Sequence, residues 1–165
     1  MNNNIILIGM PASGKSTVGV ILAKVLGYDF IDTDIIIQNK TGKKLSQIIS
    51  EDGLDGFMKI EEEVCCGLYA DNSVIATGGS VIYGQKAMEH FKEIGKVVYL
   101  EINFEDLEKR LHHMKQRGVV LKKGQTKRNL YDERVKLYRK FADVTILEEG
   151  QSIEETVQAC ISALS

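Results

Sequence analysis

The chain has 165 residues and a mass of 18.4 kDa, close to the ~150 residues of one domain, so a single domain from residue 1 to 165 is expected and a second is excluded. A composition of 44% hydrophobic and 27% charged residues is that of an ordinary globular protein, which excludes wholesale disorder. The 21 basic and 23 acidic side chains leave a net charge of -2, which excludes a whole-molecule attraction to nucleic acid or to an anionic membrane surface.

The N-terminus, MNNN, lacks a basic leader, and the apolar run that follows is far shorter than the ~20 residues of a membrane span. Three cysteines, two of them the neighbours Cys65 and Cys66, make no disulfide framework, so a cytoplasmic setting is expected. Apolar runs suited to buried strands recur at Asn4–Ile8, Tyr28–Ile31, Val74–Thr77, Val97–Ile102 and Val144–Leu147. Amphipathic stretches separate them, which predicts an α/β fold around a mainly parallel sheet. Directly after the first strand comes Gly9-Met10-Pro11-Ala12-Ser13-Gly14-Lys15-Ser16-Thr17, a G-x-x-x-x-G-K-[ST] loop leading into a helix marked by Val18, Ile21, Leu22 and Leu26. Glycines at its two ends let successive N–H groups curl inward around phosphate oxygens, and the helix N-terminus adds positive potential. Ala12, Ser13, Gly14, Lys15, Ser16 and Thr17 are therefore the candidate nucleotide-binding residues. Lys15 would reach the β- and γ-phosphates, and Ser16 would offer Mg²⁺ a hard oxygen ligand.

The second strand runs into Asp32-Thr33-Asp34, at the carboxyl edge where α/β sheets collect ligands. Asp32 is the candidate for the metal's shell, and Asp34 for orienting or deprotonating an acceptor hydroxyl. Asp34 could instead cap the next helix. Asn39-Lys40-Thr41-Gly42 begins like a guanine-reading motif but has Gly42 in place of its aspartate, and no DxxG turn exists, so the sequence disfavours a GTPase and a helix end is expected there. Phe57, Ile60, Val64 and Leu68 mark another helix, and Thr77-Gly78-Gly79-Ser80 follows the third strand where backbone must pass close to a ligand. Between Glu108 and Asp132 there is no carboxylate, while Lys109, Arg110, Lys115, Arg117, Lys122, Lys123, Lys127 and Arg128 make a local positive patch. Ile153, Val157, Ile161 and Leu164 predict a closing helix.

The phosphate loop, Asp32-Thr33-Asp34, Phe57 with Glu61, Thr77-Gly78-Gly79, Arg117 and Arg134-Val135-Lys136-Leu137-Tyr138 together resemble the shikimate kinase family of nucleoside-monophosphate-kinase-like P-loop enzymes, nearly end to end. The resemblance implies a five-stranded parallel sheet of order 2-3-1-4-5 with helices on both faces, an acceptor-binding segment at about 33–61 and a mobile lid at about 115–124. It implies a monomeric kinase using ATP and Mg²⁺, acting on a hydroxyl of a small acceptor, with shikimate the leading acceptor in aromatic amino acid biosynthesis, and binding neither nucleic acid nor membrane. Lys15, Asp34 and Arg117 would be catalytic, Arg117 acting on the transferring phosphoryl group. Arg110 matches a position near the adenine. Asp34, Met58, Glu61, Gly78, Gly79, Ser80 and Arg134 would form the acceptor site, with Arg134 on the acceptor's carboxylate.

Three departures from the family pattern fall on the acceptor side. Met58 replaces an arginine, Ser80 replaces a third glycine, and Gly118, Val119 and Val120 replace a proline and leucines after the lid arginine. Lys59 could substitute for the missing guanidinium only by bending back round the helix. Glu61, three residues from Met58, is expected to lack a partner. An unpaired Glu61 beside Arg134 suits an acceptor bearing both ammonium and carboxylate, so a kinase for a hydroxy amino acid is the alternative. A non-catalytic nucleotide-binding module is a further alternative, and RNA binding through the basic stretch is disfavoured by the pI ≈ 6.0.

Overall fold

A computed structural model of the chain describes residues 3–114 and 119–165. β1 (Asn4–Ile8), β2 (Asp29–Asp32), β3 (Ser73–Ala76), β4 (Gly95–Glu101) and β5 (Val144–Leu147) form one parallel sheet in the order β2-β3-β1-β4-β5. The helices are α1 (Lys15–Leu26), α2 (Thr33–Thr41), α3 (Leu45–Cys66), α4 (Gln85–Ile94), α5 (Phe104–His113), α6 (Lys127–Phe141) and α7 (Ile153–Leu164), with a 3-10 turn at Val81–Tyr83. Fold and strand order are those implied by the resemblance. β2 and β3 are displaced by one residue from the apolar runs, because register pairs Asp29 with Ser73 and Asp32 with Ala76, adding polar ends that hydropathy alone does not pick out.

Every residue of β1 is buried, as a central parallel strand covered on both faces requires. Its side chains alternate between two cores. Ile6 and Ile8 join Ile75, Val97 and Tyr99 against α4 and α6, where Met88, Phe91 and Tyr138 are fully buried. Ile5 and Leu7 join Val74, Val98 and Leu100 against α1 and α7, through Val18, Leu22, Val157 and Cys160. A satellite core of Ile37, Ile48, Phe57 and Val64 fastens α2 to α3.

Local chemistry sets the helix ends. α6 and α7 each begin with a capping box, Thr126 with Asn129 and Ser152 with Glu155, which satisfies otherwise orphaned N–H groups. α2 ends at Gly42, left-handed at φ 68, so Asn39-Lys40-Thr41-Gly42 is a helix end. At its start the cap is Asp32, whose Oδ1 accepts from the Asp34 N–H at 2.9 Å, so the alternative of Asp34 as the cap does not hold. α3 is broken at Gly53, where φ 73 and ψ 175 bend the helix into two segments.

His90 is structural: its Nε2 lies 2.7 Å from the Leu68 carbonyl oxygen and its ring meets Tyr69 edge-on. Cys65 and Cys160 are fully buried, and among the described residues no three or more histidines, cysteines or carboxylates come together as a metal-binding group. No helix among the described residues is long and apolar enough to cross a membrane.

Candidate active site

The loop after β1 turns back on itself through Gly9 (φ 152), Ala12 (φ 67) and Gly14 (φ 85) before α1 begins at Lys15. Left-handed backbone at a non-glycine residue such as Ala12 is uncommon and marks a site held by its surroundings. Here it helps aim consecutive N–H groups to one side, forming an anion-binding concavity at the N-terminus of α1. Lys15, only 7% exposed, donates from Nζ to the carbonyl oxygens of Gly9 at 2.9 Å and Met10 at 2.8 Å. Ser16 donates from Oγ to Asp32 Oδ2 at 3.0 Å, so the first residues of α1 and the end of β2 present adjacent hydroxyl and carboxylate oxygens. Arg110, on α5, reaches the outer flank of the loop, donating to the Ala12 carbonyl at 3.2 Å and lying 3.8 Å from Glu148.

A cavity of about 690 Å³ opens beside this loop. Pro11, Ala12, Gly14, Lys15, Ser16 and Thr17 line one side, and Asp34, Glu61, Gly78, Gly79, Ser80 and Arg134 line the other. Both segments of the bent α3 contribute to the wall, Leu45 and Ile49 before Gly53, Leu54 and Phe57 after it. Met114, Val119 and Val120, which flank residues 115–118, complete it. Arg117 lies outside the described residues, as does the start of the expected lid.

At the acceptor end two carboxylates converge on bare backbone. A side chain added at Gly78 would collide with Glu61 Oε2 and sit 3.1 Å from Asp34 Oδ1. One at Gly79 would come within 2.6 Å of Pro11 Cδ and 3.1 Å of an Arg134 guanidinium nitrogen, so glycine is required where the two sides of the cavity meet. Tyr138, one turn after Arg134 on α6, fixes that strip by donating from its hydroxyl to the Gly79 carbonyl at 2.5 Å. Thr77 anchors the other end through Oγ1 to the Leu7 carbonyl at 2.8 Å.

Glu61 is 2% exposed, and burial pushes its carboxyl up to about 7, against the lowering effect of a hydrogen bond from Ser80; the Asp34 charge raises it further, while Arg134 and Lys15 pull it down. Arg134, 5% exposed, places its guanidinium 5.6 Å from the Tyr83 ring centroid. Burial likewise pushes the Glu148 carboxyl up to about 7.

Of the described residues singled out in the sequence, Ser13 in the phosphate loop and Asp32 and Arg110 beside it do not line the cavity, and Met58 and Lys59 are not brought to it. Met58 packs on the satellite core between α2 and α3, and Lys59 is exposed. Glu61 is not left without a partner as expected: Ser80 donates from Oγ to its Oε1 at 2.7 Å. The basic stretch is partly structural, since Lys109 pairs with Asp106 and Arg128 pairs with Asp132 while lying over the Phe104 ring. Pro11 and Tyr138 fall inside motif segments of the sequence without a role of their own assigned there, and Glu148 beside the loop carried no sequence signal.

A parallel sheet with the phosphate loop on its central strand, and a cavity joining that loop to carboxylates and a buried guanidinium, define a P-loop phosphotransferase for a small molecule. The family model for shikimate kinase matches residues 11–165. A shikimate kinase of Clostridium botulinum is 41% identical over 159 residues, covering 95% of this chain and 94% of that protein. One from Francisella tularensis subsp. novicida is 38% identical, covering 93% and 90%. A solved shikimate kinase from Acinetobacter baumannii, in complex with shikimate, superposes with a TM-score of 0.89 at 32% identity, covering 99% of this chain and 93% of the other. The chain belongs to the shikimate kinase family, and with it to the ATP-using enzymes that phosphorylate an alcohol group.

Proposed function

We propose that the protein transfers the γ-phosphoryl group of ATP to a hydroxyl of shikimate, giving shikimate 3-phosphate. The observation that carries this reading is the chemistry of one continuous cavity. Two carboxylates, Asp34 and Glu61, suit the hydroxyls of a small polyol, Arg134 suits a carboxylate, and the phosphate loop adjoins them.

Lys15 and the backbone from Ala12 to Thr17 hold the phosphates. Asp34 orients the acceptor hydroxyl and takes its proton as the oxygen attacks, with ADP leaving on the opposite side of the transferred phosphorus. Arg134 fixes the acceptor through its carboxylate, and Gly78 and Gly79 let it lie against backbone. Ser16 and Asp32 would hold Mg²⁺, because a hydroxyl and a carboxylate 3.0 Å apart form a hard, incomplete donor set that leaves room for water and phosphate oxygens. When bound, that ion would neutralise charge on the triphosphate. Arg110 would stack on the base, and Arg117 in the 115–124 lid would stabilise the transferring group. We read the enzyme as a cytoplasmic monomer without a nucleic-acid partner, in keeping with its net charge of -2.

The hydroxy amino acid alternative rested on a Glu61 wholly without a partner, and the Ser80 bond weakens that motive by satisfying one of its two oxygens. A coupled ADP-release assay tests the choice. Shikimate is expected to give the highest kcat/KM against a panel of hydroxy amino acids and other small alcohols, and a higher value for any of these would overturn it.

A further inference from the structure

Glu61 is held unusually for a buried carboxylate. Its Oε1 receives a single hydrogen bond, from the neutral hydroxyl of Ser80, and its Oε2 is buried with no hydrogen-bond partner among the described residues. That second oxygen is the one lying against Gly78, beside Asp34 Oδ1, and Glu61, Gly78 and Asp34 are all lining residues of the cavity. A guanidinium at the position of Ser80 would engage both carboxylate oxygens in a fork, whereas a serine hydroxyl has one proton to give and can engage only one. A buried oxygen left without a donor is costly, so this arrangement awaits a donor from the cavity.

The charged and titratable groups facing Glu61 explain why an anchor is needed. Asp34 on α2 repels it, Lys15 on α1 and Arg134 on α6 attract it, and Cys65 stands one turn along its own helix. Without a fixed bond the carboxylate would turn away from Asp34 toward the cations, taking Oε2 off the acceptor wall.

We propose that Ser80 is a positioning residue, whose hydroxyl ties down one oxygen of Glu61 so that the other accepts a hydrogen bond from a non-reacting hydroxyl of the acceptor. Ser80 thereby sets selectivity for an acceptor with more than one hydroxyl. The kinetic test rests on the shikimate reading above, and the spectroscopic test does not.

Ser80→Ala, with Ser80→Gly as a second variant should the first fail to fold, is compared with the conservative Ser80→Thr on shikimate and on the two deoxy analogues that each lack one non-reacting hydroxyl. Loss of the hydroxyl is expected to raise the KM for shikimate roughly tenfold, the weight of one hydrogen bond to a charged group, with the KM for ATP within twofold. The penalty should vanish for one of the two deoxy analogues, and threonine should restore most of the loss. In the free protein, carbon-detected NMR should place the Glu61 titration midpoint higher in Ser80→Ala than in the wild type, because a donor that favours the charged form is gone. Equal losses on all three acceptors, or an unshifted Glu61 midpoint, would overturn the proposal. A wild-type enzyme inert toward shikimate would overturn the acceptor reading instead, and the midpoint would still decide the role of Ser80.

Discussion

Residue by residue, the site divides the labour between two aspartates, one at the end of β2 and one inside α2. Asp32 caps α2 through Oδ1, which takes the Asp34 N–H at 2.9 Å, while its Oδ2 takes the Ser16 hydroxyl at 3.0 Å, the pair proposed above to hold Mg²⁺. That leaves the Asp34 carboxylate on the cavity wall, one residue into the helix and so directed by it. Asp34→Asn is therefore expected to lower kcat by about 10²-fold or more, the usual weight of a general base, with the affinity for ATP unchanged. Steady-state kinetics with a calorimetric ATP titration checks this, and lost ATP binding would instead make Asp34 a support of the phosphate loop. The loop itself was legible because its chemistry is local: Gly9 to Thr17 are neighbours in sequence as well as in space. The pairing of Ser80 with Glu61 was not legible, since a 19-residue separation carries no periodic signal and Met58 drew attention to the wrong partner. A hydroxyl on another element, not Lys59, reaches the Glu61 carboxylate.

Among the elements, α3 does most to shape the acceptor side. Glycine at 53 sits at φ 73 and ψ 175, a conformation closed to other residues, and nothing crowds its Cα, so any penalty for a side chain there comes from the backbone alone. The bend is what allows Leu45 and Ile49 from one segment and Phe57 and Glu61 from the next to line the same cavity. Gly53→Ala is expected to cost about 1–3 kcal/mol of stability and to raise the KM for the acceptor while sparing that for ATP. Thermal melts followed by circular dichroism, together with the two KM values, check it; an unchanged melting temperature would mean that α3 straightens without penalty. The helical period from Phe57 to Val64 was readable in the sequence, but the break was not, because an isolated glycine in a helical pattern is usually tolerated in place. Strand positions were legible to within a residue or two, since buried parallel strands write themselves as apolar runs. Their ends were not, because Asp29, Asp32 and Gly95 join the sheet by register rather than by hydropathy.

Across the whole molecule, two buried carboxyls tie stability to pH. Burial holds both Glu61 and Glu148 at about 7, above the ordinary 4.5. Between those values the native state binds more protons than the unfolded chain, so stability is greatest at the acid side of this window, falls as pH rises through it and levels off above about 8. Each group can contribute at most on the order of 3 kcal/mol to that fall. Melting temperatures measured from pH 5 to 8 should decline, and Glu148→Gln should flatten the slope; an undiminished slope in that variant would show that Glu148 ionises freely in the native state. The same two carboxyls lie on opposite sides of the phosphate loop, one on the acceptor wall and one behind Arg110. The strand order gives that division a longer reach. Because the loop springs from the middle strand, packed from both faces, while the acceptor wall hangs on the edge strand β2 and its satellite helices, the power source and the choice of cargo sit on parts of the chain with unequal freedom to drift. Descendants with new small-alcohol cargoes are thus reachable by rewriting the rim from about residue 33 to 83, with the keel of the machine left alone.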